Sequence, residues 1–369
     1  MRFLVIVLMI LSCSLPGTDP AGDGIDPELS PFSRPSGLWV DADYLYVTNP
    51  DFVATSKGVV FGEGFVEVRD RSDLGSVARW LMPLPNPTRI MTVDDDVWVL
   101  CSGSLVQSDE GLFQTDQPGG LVRISGGLEA DSEPQITSFP LEPDGAPGSW
   151  VYSPESQRFV LGSSIESELY IFDLASAAYV HNGDNPVAMP AVQSNETLGL
   201  GRHPDGSIAV LSFARNSAFL LDPDTLVAIP ETETVVAGTG ELEGPLDVVF
   251  LPGVEPATAL IVLTLSNHLA RWQPSDPATV QTRWQAVGLS PNVVRVHGDR
   301  VFVVESGANT VGVYDVEGGE LNRVVFPVGS NPYDLVVDPT GGFAYVSALI
   351  TNRIHMVDLN TFEIVETVP

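Results

Sequence analysis

The chain has 369 residues, 44% of them apolar, and 17 basic against 48 acidic residues give it a formal charge of −31. That length serves one large domain or two ordinary ones with a sizeable core. A surface this acidic repels phosphate backbones, which excludes nucleic acid as a partner. Lysine occurs once, at Lys57, and no acidic run exceeds Asp94-Asp95-Asp96, so the charge belongs to the surface and not to a tail.

At the N-terminus, Phe3 to Leu11 follows the single charge of Arg2 and is too short to span a bilayer as a helix. It runs into Ile10-Leu11-Ser12-Cys13, which resembles a bacterial lipoprotein signal, with an aliphatic and a small residue ahead of a lipidated cysteine. The resemblance implies a signal peptide at 1–12 and acyl chains on Cys13. With Ser14 next, enteric-type sorting implies the outer membrane, on its periplasmic or cell-surface side. Residues 13–33, rich in Pro, Gly and Asp, read as a flexible tether. With Cys13 lipidated, Cys101 has no disulfide partner within the mature chain and reads as a buried, inert thiol.

From residue 34 one unit recurs. Tyr46-Val47-Thr48-Asn49 has echoes whose shared valines fall at 99, 160, 210, 262, 303 and 346. A short apolar strand precedes each copy across a polar turn such as Asp41-Ala42-Asp43 or His203-Pro204-Asp205-Gly206. A third strand follows and ends in aspartate in five copies, at 70, 173, 222, 315 and 358; a less regular fourth strand closes the unit. Recurrence once per unit makes these aspartates turn formers, not catalytic groups. Four antiparallel strands, repeated seven times, predict an all-β fold, a seven-bladed β-propeller with blades near 34–84, 85–143, 146–190, 194–240, 243–287, 289–328 and 329–369. Each unit reads from its first strand to its fourth, so the ring is expected to close end to end. The chain resembles the YVTN family of propeller repeats, most sharply over Val301 to Pro369 and least in the first two units, where insertions interrupt the pattern.

Alternating strand direction puts the loops joining strands two to three and four to one on the same face, and candidate ligand contacts are sought there. Asn86, Asn195, Asn292 and Asn331 stand ahead of innermost strands and could ring the channel mouth, although Asn and Pro also simply shape turns. The two-to-three loops carry Asn49 and Asp51, Arg215, Glu305 with Asn309, and Asn352 with Arg353; those of the first two units are far longer than a hairpin needs. Glu196 lies beside Asn195. The five histidines are scattered over turns and outer strands and predict no metal or catalytic cluster. Haem, phosphate-loop, zinc-protease and hydrolase motifs are absent from the sequence.

These residues suggest a monomeric, envelope-anchored binding scaffold, non-enzymatic and without a cofactor, that recognises a protein or glycan. Calcium is the cation such a carboxylate-rich surface would suit. The alternative comes from the resemblance: similar propellers include lactone hydrolases and lyases with acidic residues, histidines or a divalent metal at the channel mouth. Glu305, Glu196 and Asp51 are then the first suspects.

Overall fold

The computed structural model describes residues 34–55, 58–107, 113–128, 132–189, 197–238 and 240–368. The signal peptide, the tether with Cys13, and the candidates Asn195 and Glu196 lie outside the described residues. Among the described residues no helix is long and apolar enough to cross a membrane.

The chain folds into seven four-stranded antiparallel sheets arranged as a seven-bladed propeller. The innermost strands are Leu38–Val40, Pro87–Val93, Pro147–Ser153, Leu198–Arg202, Pro245–Phe250, Pro291–His297 and Pro332–Val337. The second strands are Tyr44–Asn49, Asp96–Cys101, Arg158–Ser163, Ile208–Ser212, Ala259–Leu263, Arg300–Glu305 and Phe343–Ala348. The third are Phe65–Asp70, Gly120–Ser125, Glu168–Asp173, Ser217–Leu221, His268–Trp272, Thr310–Asp315 and Arg353–Asp358. Outermost run Ser76–Leu81, Gln135–Pro140, Ala178–His181, Thr234–Val235, Gln281–Ala286, Glu320–Val325 and Glu363–Val368. Blade three adds Val187–Ala188 against its third strand.

Strand periodicity explains the packing. Along Asp96–Cys101 the residues Val97, Val99 and Cys101 enter the core between blades one and two, while Trp98 and Leu100 enter the core between blades two and three. A middle strand is therefore covered on both faces, which is why it reads as a continuous apolar run. Seven apolar clusters result, one at each seam between adjacent blades. One of them joins Leu38, Leu45 and Val47 of blade one to Tyr345 and Ile354 of blade seven. Each buried Val or Leu contributes roughly 1.5–3 kcal/mol, so the seams dominate the ring's cohesion. The outer strands are the most exposed of each blade, as edges of the sheets.

Every blade takes its four strands from one contiguous stretch, and the ring closes end to end. At the closure the Leu38 amide donates to Asp334 Oδ2 at 3.1 Å and Ser347 Oγ donates to the Ser36 carbonyl at 2.7 Å.

Five innermost strands begin with proline, a residue with no N–H to leave unpaired at a strand's start. A register shift follows each of these prolines. At the other end of the blade, the carboxylates of Asp70, Asp173, Asp222, Asp315 and Asp358 each accept backbone amides two to four residues on. They shape the turn to the fourth strand.

Candidate functional site

The face carrying the two-to-three and four-to-one loops holds two elements the ring does not need. A hairpin of Phe52–Thr55 and Gly58–Phe61 rises from blade one, and another of Ser104–Gln107 and Phe113–Gln117 rises from blade two. The strands Gly58–Phe61 and Ser104–Gln107 lie against each other, so the hairpins form one wall. Phe52 and Phe61 close the first hairpin edge to face at 6.1 Å. In the second, Thr115 donates to the Asp144 carbonyl at 2.6 Å, fixing the hairpin to the entry of blade three. Val106 stays 46% exposed on this wall.

Three of the candidate asparagines, Asn292, Asn309 and Asn352, hold adjacent blades together. Asn216, Asn267, Asn309 and Asn352 each stand one residue before a third strand, all in the left-handed region (φ 53° to 59°). Asn tolerates this conformation better than other non-glycine residues. In each case the side-chain oxygen accepts a backbone amide from the four-to-one loop entering the next blade: Glu243 at 2.9 Å, Ser290 at 2.8 Å, Asn331 at 3.0 Å and, across the closure, Arg34 at 2.8 Å. In blades one and two, which carry the inserted hairpins, glycine takes this place, at Gly64 and Gly119. Asn86 and Asn331 are also left-handed, and Asn86 Nδ2 donates to the Gly103 carbonyl at 3.2 Å.

Asn292 does not share their position. Ser290 occupies the left-handed site before Pro291, and Asn292 lies one residue inside the strand. There it donates to the Tyr333 carbonyl at 2.6 Å and accepts from Ser306 Oγ at 2.8 Å, tying blade six to blade seven. The strand begins at Pro291, so Asn292 lies within it and not ahead of it as the sequence suggests.

Glu305 is fully buried. It accepts the Gly288 amide at 2.7 Å, Tyr314 Oη at 3.0 Å, Thr310 Oγ1 and the Arg323 guanidinium. Gly312 makes the room: a Cβ there would stand 2.7 Å from Glu305 Oε1 and 2.6 Å from the Tyr314 ring. A carboxylate saturated by four donors and sealed from solvent has no lone pair for a substrate proton. Arg215 pairs with Glu233 at 2.5 Å. Asn49 is buried; its amide donates to the Val47 carbonyl at 3.2 Å, and its oxygen has no hydrogen-bond partner among the described residues.

Asp51 and Arg353 are different. Neither side chain makes a hydrogen bond or ion pair with another described residue, and both lie at the seam between blades one and seven. Asp51 is left-handed (φ 50°) at the foot of the first hairpin; Arg353 opens the third strand of blade seven. Between their segments runs Arg34, which donates to the Phe52 carbonyl at 3.4 Å and the Ile350 carbonyl at 3.0 Å and lies 5.7 Å from the Phe52 ring centroid. Burial holds the Arg34 guanidinium below its ordinary pKa, with Asp51 opposing the shift. Sequence reasoning missed Arg34, because no repeat unit predicts the residue that receives the last blade.

The five histidines fall one to each of blades three to seven. His203 pairs with Asp205 at 2.6 Å on the opposite face, and His355 is buried against Thr367 Oγ1 at 2.9 Å. Among the described residues no three His, Cys, Asp or Glu side chains come together as a metal site.

No family model and no curated relative matches the chain. Solved structures do match its fold. Virginiamycin B lyase from Staphylococcus aureus aligns over 86% of this chain and 92% of its own, at 13% identity and a TM-score of 0.61. A putative 6-phosphogluconolactonase from Bacteroides uniformis aligns over 88% and 95%, at 14% identity and 0.59. A Lactobacillus plantarum protein aligns over 88% and 96%, at 15% and 0.60. These likenesses place the chain among seven-bladed propellers and carry no further than the fold.

Proposed function

We propose that this is an exported recognition propeller of YVTN-type repeats, held at the outer membrane by acyl chains on Cys13, that docks a protein or glycan on its hairpin-bearing face. The observation that carries the reading is the paired hairpin wall: two insertions, packed on each other, that lie outside the seven apolar clusters of the seams. Loops added to a rigid scaffold are where propellers gain recognition. Apart from the Asn49 side-chain oxygen, the candidate polar groups beneath the wall are engaged in structure, and Asp51 and Arg353 supply opposite charges beside it.

The test is excision. Replacing residues 51–62 and 104–117 with short turns, separately and together, leaves the seven seams intact, so the thermal midpoint should hold while envelope partners captured by the full chain are lost. Unchanged capture by the double excision would defeat the reading. Mass spectrometry of the mature N-terminus tests the anchor; an unmodified Cys13 or a different cleavage point would remove it.

The fold likeness to a lyase and a putative lactonase favours an enzymatic alternative, with a metal or acidic site at the channel mouth. It requires turnover of a cyclic ester that depends on Asp51 or Glu196, because Glu305 is enclosed. Cleavage of virginiamycin B and hydrolysis of 6-phosphogluconolactone, named in those two neighbours, are the reactions to assay, with and without divalent metal.

A further inference from the structure

A cavity of about 350 Å³ lies on the propeller axis, lined by innermost-strand residues of blades one, two, three, six and seven. Its walls come largely from the middle and far ends of these strands, such as Trp39, Met91, Trp150 and Val336. It therefore sits toward the face opposite the hairpins, and at its outer end His297 lies beside Gly341 of the blade-seven turn.

Two arginines line this cavity, and their situations differ. Arg295 is neutralised: it donates to Asp247 Oδ2 at 2.8 Å and to Asp334 Oδ1 at 2.9 Å, stitching blades five, six and seven. Burial works against its charge, but the two carboxylates more than offset that and raise its pKa. Arg89 makes no hydrogen bond or ion pair with any described residue, although it is half-buried in a protein with 48 acidic side chains. Its charge is felt by the half-buried Tyr333 phenol, whose pKa desolvation raises and Arg89 pulls back.

Of the rest of the lining, the Asp334 carboxylate is taken up by Arg295 and the amides of Leu38 and Leu335, His297 stands exposed at the outer end, and the remainder is aromatic or apolar. Trp39 is fixed by its indole N–H, which donates to Thr92 Oγ1 at 3.1 Å. Trp150 is stacked on Phe159 with centroids 5.0 Å apart and planes at 11°. A preformed, largely apolar cavity of this size with a few polar groups is the usual form of a small-molecule site. A half-buried guanidinium without a partner carries a desolvation cost that an anion would offset, and a carboxylate matches its fork of donors.

We propose that the axial cavity binds a small carboxylate with an aromatic or apolar body, Arg89 pairing the carboxylate and Trp39, Met91 and Trp150 holding the body. The site is separate from the hairpin face and independent of the function proposed for it.

Fluorine NMR tests this with para-(trifluoromethyl)benzoate, its neutral benzamide, and para-(trifluoromethyl)benzylammonium. The benzoate should bind the full chain about 10-fold or more tightly than the benzamide, the scale of a charge-assisted pair. Arg89→Met should weaken the benzoate by a similar factor and leave the benzamide unchanged. Arg89→Glu should lose the benzoate and gain the benzylammonium. Equal binding of benzoate and benzamide, no benzoate binding at millimolar concentration, or benzoate binding indifferent to Arg89→Met would each overturn the proposal. The benzoate–benzamide comparison needs no variant and decides even if a substituted chain fails to fold.

Discussion

The side-chain oxygen of Asn352 accepts the backbone N–H of Arg34 at 2.8 Å, joining residues 318 apart in sequence. The same bond links Asn216, Asn267 and Asn309 to the blades that follow them. The closure of the ring thus uses the device that joins its consecutive blades.

Glycine and alanine separate the two jobs these asparagines do. Asn352→Gly keeps the left-handed backbone and loses the acceptor, which should cost about 1 kcal/mol. Asn352→Ala adds a left-handed penalty of about 1–2 kcal/mol. Asn267 should behave alike. Urea unfolding measures both, and alanine variants no less stable than glycine variants would show that the backbone conformation is not what selects asparagine.

Glu305→Gln should behave as a core lesion. Removing one partner of a buried ion pair costs about 3 kcal/mol, and Arg323 would be left facing a neutral amide. Gly312→Ala should destabilise in the same direction, by about 1–3 kcal/mol, because its methyl overpacks the Glu305–Tyr314 contact. If Glu305→Gln were as stable as the parent yet abolished an esterolytic activity, the enzymatic alternative would be restored.

His355 sets a pH dependence. Burial, followed by the nearby Arg353, lowers its pKa from 6.5 to about 4, so it stays neutral in the folded chain where the unfolded chain takes up a proton. Stability should fall as pH drops from about 6.5 to about 4 and level off below, with a full extent on the order of 3 kcal/mol. The turn carboxylates Asp70, Asp173 and Asp222 are held below their ordinary range, chiefly by hydrogen bonds from Ser72, Ser176 and Thr225, and act only at lower pH. Urea midpoints across this interval should slope for the parent and flatten for His355→Gln; equal slopes would contradict the assignment.

Cys101 should be inert in the folded chain. It is fully buried, and burial pushes its thiol well above the usual range. A thiol-reactive disulfide dye should label it only at the rate of unfolding. Rapid labelling in native buffer would mean that the seam between blades one and two opens.

The propeller was legible because its unit repeats. Valines at 47, 99, 210, 303 and 346 face the seam with the preceding blade, while Val160 and Val262 lie one residue out of that register and face the following one; all seven sit inside a second strand, where both faces are covered and few residue types fit. The use of the asparagines was not legible. Asn309 and Asn86 look alike in sequence, but a hydrogen bond to the next blade depends on the blade-to-blade angle, which no local pattern encodes. Arg34 and Arg89 were missed for related reasons: one acts only where the ring closes, and the other matters only because the axis places it beside Trp39 and Trp150. Asp51 and Arg353 were singled out from loop position alone, and their side chains make no hydrogen bond or ion pair with another described residue.

The most direct test of the hairpin face as the recognition surface is site-specific photo-crosslinking in the native envelope. A benzophenone side chain at Val106, on the exposed wall, should give a discrete adduct that vanishes when residues 51–62 are replaced by a turn. The same group at Asp205, on the opposite face, should give none. An adduct from Asp205 with none from Val106, or a Val106 adduct indifferent to loss of the first hairpin, would contradict the assignment of that face.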